Sequence, residues 1–267
     1  MTLEVLLSCM HQKDASIIKA SNIQTQIVIV NQCNIDKIEH TAFINNSGNK
    51  CQAKLIHTTQ RGLSKSRNLA IMHATGDICL ICDDDEKFVS NYPNIILEYF
   101  KKLPKADVIA FQVERNPIKR YPKAIKQLGP LGCLKVSSVE IAFKLSKIKE
   151  HNILFDEQIG SGVSKAGGEE NIFLHDCIRN NLSIYFVPAT IAQLLPSESQ
   201  WSSNMFSKEY FIDRGKFTCR LIGGKPFAIL YAIYFGFFKH PFFKNKMSLK
   251  DAIVYMFYGI FKGYIKI

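Results

Sequence analysis

No apolar stretch in this chain reaches bilayer length. The longest candidate, Pro226 to Phe238, has thirteen residues without a charge, against roughly 20 for a spanning helix. Eight cysteines in 267 residues are too sparse for a disulfide scaffold, which leads us to expect reduced thiols and an intracellular protein. The opening residues, MTLEVLLSCMHQKD, lack the basic flank and cleavage site of a signal peptide. Internal repeats and low-complexity tracts are missing too, so solenoids and tails are excluded. What remains is ordinary globular composition, 47% hydrophobic and 21% charged, which rules out disorder as the main state.

Acidic residues are scarce in particular places. The net charge is +11, yet residues 101–150 hold twelve Lys and Arg against four Asp and Glu, and residues 204–267 hold eleven against three. Each block is therefore +8 and the rest of the chain is negative. Such a surface suits a phosphate, nucleic-acid or anionic-lipid partner, or is simply a solubilising lysine coat.

Short runs of Val, Ile and Leu at Leu3 to Cys9 and Gln26 to Val30 read as buried strands separated by a polar stretch long enough for a helix. A weaker run at Lys54 to His57 leads to a helix over Ser66 to Ala74, ended by Gly76, and a strand over Asp77 to Cys82. A helix from about Asn91 to Lys102, a strand at Asp107 to Val113, a long basic loop region, a helix over Glu169 to Arg179 and a strand at Ser183 to Val187 follow. This alternation predicts an α/β protein with a mostly parallel sheet and ligands at the carboxyl ends of its strands. Asp83-Asp84-Asp85-Glu86 falls at such an end. Carboxylates packed this closely repel one another unless a cation, a proton or solvent relieves them.

Upstream of the tetrad lies Arg61-Gly62-Leu63-Ser64-Lys65-Ser66-Arg67-Asn68, and then Gly76. The ordered set resembles glycosyltransferase family 2, whose members carry an Arg-Asn pair, a helix, a glycine, a strand and an Asp-x-Asp motif. Phe155-Asp156-Glu157 and Gly168-Glu169-Glu170 extend the likeness over residues 1–200. The resemblance implies a GT-A type nucleotide-binding fold with a helical C-terminal extension, divided at 1–203 and 204–267. It implies an inverting transfer of a hexose from a nucleotide sugar, UDP in the first instance, to a glycan. Asp83 and Asp85 would be the Asp-x-Asp pair and hold Mn²⁺ or Mg²⁺; Asp83, Asp84, Arg67, Asn68, Asn31 and Gln32 would form the nucleotide-sugar site. Glu170, or Glu169 beside it, would be the catalytic base.

Individual residues keep a second reading. Arg67 either contacts the nucleotide or orders the acidic loop through a salt bridge. Asn31 and Gln32 stand where many members of the family have an Asp, and an amide there either meets a base edge or holds a turn. Cys79 and Cys82 lie in one strand on alternate faces and read as inert buried thiols. Trp201 either stacks on a sugar or packs against the last third. That last third, with apolar segments at 226–238 and 252–260 bracketed by lysines, either completes a core or lies in a membrane interface, where an acceptor on a lipid diphosphate would be reached. The expected location is thus cytoplasmic, on the inner face of the cell membrane, with no nucleic-acid partner. Metal-dependent phosphoryl transfer and a non-catalytic basic adaptor are the rival functions; no Walker loop or nuclease motif supports the first.

Overall fold

Successive Val and Leu residues make Leu3 to Cys9 a strand that buries both faces. In the computed structural model, which describes residues 1–196 and 205–262, β1 (Leu3–Met10) runs inside a sheet with parallel neighbours on either side. The other strands are β2 (Gln26–Gln32), β3 (Lys37–Ile44), β4 (Lys50–Thr58), β5 (Ile78–Asp83), β6 (Glu86–Phe88), β7 (Val108–Glu114), β8 (Lys126–Gln127), β9 (Ile141–Lys144) and β10 (Ile184–Leu194). Their spatial order is β3-β4-β2-β1-β5-β9-β7-β10-β6, with β8 beside β10. The run β4-β2-β1-β5 is parallel, β7 and β10 are parallel, and β9 lies antiparallel between β5 and β7.

The helices are α1 (Ile17–Ala20), α2 (Leu63–His73), α3 (Tyr92–Lys102), α4 (Pro130–Cys133), α5 (Leu145–Glu150), α6 (Glu169–Arg179), α7 (Lys208–Ile222), α8 (Lys225–Phe243) and α9 (Leu249–Lys262). Each follows a local reason. In α3, Tyr92, Ile96 and Phe100 recur every four residues and are buried, while Lys101 and Lys102 face the negative end of the helix dipole. Gly62 precedes α2 with φ 117°, a left-handed value that a side chain would resist, and its N–H donates to Gln32 Oε1 at 2.8 Å. Gly76 permits a close approach instead: a methyl there would meet Glu4 Cβ at 2.7 Å, and its N–H donates to Glu4 Oε2 at 2.7 Å.

Three expectations from the sequence need revision. The polar stretch between β1 and β2 forms only the single turn of α1. The run at Lys54 to His57 is part of a nine-residue strand, whose antiparallel partner β3 went unread. β3 is an exposed edge strand carrying Lys37, Glu39 and His40, charged as edges tend to be, so it has no buried face to betray it. The signal that could have found it is the turn Asn45-Asn46-Ser47-Gly48-Asn49, where Asn45 Oδ1 accepts from the N–H of Ser47 and Asn49 and Gly48 adopts φ 79°. Finally, α2 starts at Leu63, three residues early, because its first turn buries polar Ser64, Ser66, Arg67 and Asn68.

The described residues form two compact units, 1–155 with 173–196 and 156–172 with 205–262. The first contains the sheet, with one apolar layer on each side; Cys79 and Cys82 of β5 fall in opposite layers, and burial pushes both thiols well above their ordinary range. They are inert thiols for that reason. In the second unit α7 packs the loop 156–172: Ile159 and Ile172 pack with Phe217 and Leu221, and Asp156 Oδ2 accepts from Arg220 Nε at 3.1 Å. Helix α7 therefore contributes to a core within this unit. Trp201 lies outside the described residues.

Helix α7 meets α9 through two glycines. A methyl on Gly215 would lie 2.1 Å from the Met256 carbonyl oxygen, and one on Gly259 would lie 2.0 Å from that of Ile212. Backbone has to move to admit either. Alanine would gain about 1 kcal/mol of helix propensity at such a position, but overpacking of a helix seam costs about 1–3 kcal/mol, and contact with main chain puts this site at the upper end. Gly215→Ala should lower unfolding free energy by a net ~1–2 kcal/mol in a urea titration, whereas Gly224→Ala, which meets only Phe227 at 3.9 Å, should show no comparable steric loss.

Candidate active site

The register of the parallel strands determines which residues share the carboxyl edge of the sheet. Ser8 of β1 pairs with Asp83 of β5, Cys9 with Asn31, and Asn31 with His57. Asp83 is the last residue of its strand, and the chain turns through Asp84 and Asp85 into β6. The tetrad is not four equivalent carboxylates. Glu86 is fully buried, and burial, with the charge of Asp83 adding, holds its carboxyl well above the usual range. The Asp84 carboxyl is also raised, by desolvation and then by the charges of Asp83 and Asp85.

Asp83 has a specific partner. Arg67 Nη2 lies 2.9 and 3.1 Å from its two carboxylate oxygens and donates also to Ser138 Oγ at 2.8 Å. The guanidinium is 1% exposed and lies 5.4 Å from the centre of the Phe155 ring. Of the two readings of Arg67, the structure displays the salt bridge. Asn68 grips main chain: its Nδ2 donates to the Phe155 carbonyl at 2.9 Å and its Oδ1 accepts from the Phe155 N–H at 2.8 Å. Phe155 in turn stacks on Phe173 of α6 at 4.4 Å between ring centres.

Sequence reasoning missed what supports Arg67. Ser138 opens a short 3₁₀ turn, capped by the reciprocal Ser137–Glu140 box. Glu140, 1% exposed, accepts from Arg115 at 2.7 Å, from Lys119 at 2.5 Å and from the Tyr121 hydroxyl at 2.9 Å. Part of the basic block at 101–150 is therefore structural. The Ser-x-x-Glu spacing was readable; its link to Arg67, seventy-one residues away, was not.

Asn31 and Gln32 are buried and bonded internally. Asn31 accepts from the Gln12 N–H at 3.0 Å, donates to the Gln12 carbonyl at 2.7 Å and lies 3.2 Å from His57 Nδ1. Gln32 holds Gly62. These bonds describe amides that fix the loops at 12 and 62.

In the second unit, Glu169 and Glu170 open α6. Glu169 is buried and accepts from the Gly168 N–H at 3.2 Å, whereas Glu170 lines an open cavity of about 330 Å³. Lys165, Tyr210 and Arg214 are also on its wall.

Glycosyl transferase family 2, as defined by its sequence pattern, matches residues 3–166, more than half of the chain. The chain belongs to that family. Among solved structures, S. aureus TarS 1-349 in complex with UDP-GlcNAc is similar, with a TM-score of 0.64, 16% identity, and coverage of 94% of this chain and 77% of that one. The complex of the same protein with UDP gives 0.63 and 15% with the same coverage, and full TarS gives 0.58 and 13%, covering 94% of this chain and 46% of that one. At these identities the likeness is one of fold, and the fold is GT-A. A comparison with curated protein sequences finds no match.

As a glycosyltransferase using nucleotide sugars, this family member has to meet the phosphate of its donor. Among its described residues no three His, Cys, Asp or Glu side chains converge as ligands of an ion. Two carboxylates completed by phosphate oxygens are the usual arrangement for Mg²⁺ or Mn²⁺, which take oxygen donors. Asp83 and Asp85, two residues apart at the turn that ends β5, supply oxygen donors of that kind. Arg67→Gln removes the one guanidinium facing Asp83. Removing one partner of a buried pair typically costs about 3–5 kcal/mol, and because Asp83 is 26% exposed we expect about 2–3 kcal/mol, read by urea denaturation. An unchanged midpoint would show that the pair contributes nothing to stability.

Proposed function

We propose that the chain is an inverting hexosyltransferase that moves a sugar from a UDP-linked donor to a lipid-linked glycan in the synthesis of a cell-surface polysaccharide such as a capsule or O-antigen. The observation that carries the donor half is the acidic turn at the carboxyl end of β5, anchored by buried Arg67, in a family 2 chain. In this reading Asp83 and Asp85 hold Mn²⁺ or Mg²⁺, and Asp84 adds negative charge beside them. Such a cation, when bound, neutralises charge on the departing diphosphate. Arg67 and Asn68 position the strand-end loop and Phe155; Asn31 and Gln32 hold the loops at residues 12 and 62 against the donor. Glu170 accepts the proton of the attacking hydroxyl, and attack in line, with one carboxylate and no covalent intermediate, inverts the anomeric centre. The carboxylate of Glu169 is turned toward its own main chain, which supports Glu170 for that role. The family resemblance and the UDP and UDP-GlcNAc complexes of TarS support the donor class.

The acceptor half rests on α8. Phe227, Leu230, Tyr234, Phe237 and Phe238 recur at helical spacing and each exposes more than half of its surface, and Lys239, Lys244, Lys246 and Lys250 accompany them. None of the described helices is long and apolar enough to cross a membrane. Aromatic and leucine side chains beside lysines suit a helix lying in an anionic interface, as a peripheral enzyme acting on a lipid-linked acceptor requires.

Two measurements test this reading. Asp85→Asn should abolish Mn²⁺-dependent transfer and the thermal shift produced by UDP with Mn²⁺, and Glu170→Gln should keep UDP affinity while slowing transfer by about 10²-fold or more. Full turnover in Asp85→Asn refutes the donor site; a larger loss in Glu169→Gln than in Glu170→Gln moves the base by one residue. For the membrane, Phe237→Ser with Phe238→Ser should reduce co-sedimentation with phosphatidylglycerol vesicles several-fold, since each aromatic buries about 2 kcal/mol of apolar surface. Equal sedimentation removes the membrane role.

A further inference from the structure

The cavity in the second unit holds an arginine to which the donor site assigns no role. Arg214 projects from α7, one turn after Tyr210, onto the wall shared by Lys165, Gly167, Gly168, Glu170 and Asn171. Its Nη2 donates to the Tyr231 hydroxyl at 2.8 Å, and its guanidinium carbon lies 4.8 Å from the ring centre of Phe217, 5.2 Å from Phe235 and 5.9 Å from Tyr231. Ring faces attract a cation without neutralising it. Arg214 has no carboxylate within salt-bridge distance among the described residues, and its buried Nε has no hydrogen-bond partner. Arg67, Arg115, Arg179 and Arg220, by contrast, each meet an Asp or Glu, whereas Arg61 bonds only carbonyl and amide oxygens. The neighbouring acid, Asp213, is taken by the Lys165 N–H at 2.8 Å and by Lys216 Nζ at 3.1 Å. Lys165 brings a second, exposed ammonium to the rim, where Glu209 is the acid it influences.

A partly desolvated guanidinium without a counter-ion and a lysine at the rim form an anion site. Glu170 on the same wall disfavours a bare anion as the whole ligand, because its carboxylate repels one. We infer that this cavity is an acceptor subsite for a phosphate-bearing sugar or polyol, with Arg214 and Lys165 holding the phosphate and Glu170 facing the hydroxyl. The volume, about 330 Å³, is at the small end of ligand pockets and fits one phosphorylated unit rather than an oligomer. The assignment rests on Glu170 as base, and the phosphate itself could belong to a glycan or to a lipid headgroup.

Glycerol 3-phosphate is the probe, titrated calorimetrically into the whole protein with EDTA present, and glycerol is the neutral control. The protein should bind the phosphate and not glycerol. Arg214→Gln should weaken binding about 10- to 100-fold, the worth of a charged hydrogen bond, and Lys165→Gln, at an exposed position that folding tolerates, about threefold. Asp85→Asn should leave the affinity within twofold, which separates this site from the strand-end acids. Phosphatidylglycerol vesicles form the second arm: Arg214-dependent binding to vesicles without binding of glycerol 3-phosphate assigns the phosphate to a lipid headgroup. Equal affinity in both Arg214→Gln and Lys165→Gln, loss in Asp85→Asn, or binding of neither probe would overturn the subsite. Binding requires no turnover, so its result stands apart from the Glu170→Gln rate that tests the base.

Discussion

A guanidinium sealed from water against Asp83 is the constraint on which the carboxyl edge of the sheet depends. Without Arg67, the end of β5 would carry Asp83, Asp84 and Asp85 within one turn and only solvent to separate them. With it, Asp83 is fixed at two points and the turn has a defined start. Buried ion pairs seldom add much net stability, since desolvation offsets most of the attraction. Their use here is positional. The pair ties the first turn of α2 to the end of β5, and the neighbouring Asn68 ties the same turn to Phe155, so three segments distant in sequence are registered by two adjacent side chains.

That economy explains why α2 has a polar buried face. A helix that buries Ser64, Ser66, Arg67 and Asn68 sacrifices apolar contact with the sheet, and its hydrophobic residues carry little amphipathic signal. Ser66 donates to Ser8 Oγ at 2.8 Å, which satisfies one of those groups within the core. Local rules fail here because these side chains bond other segments of the chain instead of packing as an apolar face. The helix starts three residues before hydrophobic periodicity would place it for this reason.

Much of the molecule was legible before any coordinates. Buried parallel strands announce themselves as continuous Val, Ile and Leu runs, and β1, β2 and β5 did so; the order of the Arg-Asn pair, the glycine and the acidic turn then indicated the family. Legibility ended where a residue's partner is remote. Nothing near Glu140 in sequence says that Arg115, Lys119 and Tyr121 converge on it, and nothing near Asn31 says that its amide will close the loop at Gln12. The exposed strand β3 was hidden for a different reason, since an edge that faces water need not alternate apolar with polar.

Charge is the property that sequence reads most easily and interprets least well. Both basic blocks carry the same net +8, yet they do different things. In the first, Arg115 and Lys119 converge on buried Glu140, and Lys144 pairs with Asp107 at 3.5 Å; these three cations hold the fold together and say little about a partner. In the second, Lys216 and Arg220 are paired, but Arg214 is held by aromatic rings and one hydroxyl. A counted charge predicts a ligand only where the structure leaves the cation without a carboxylate of its own. What is left in the C-terminal unit is a guanidinium aimed into a cavity and an apolar helix face accompanied by lysines, two features that both suit a phosphate carried at a membrane surface.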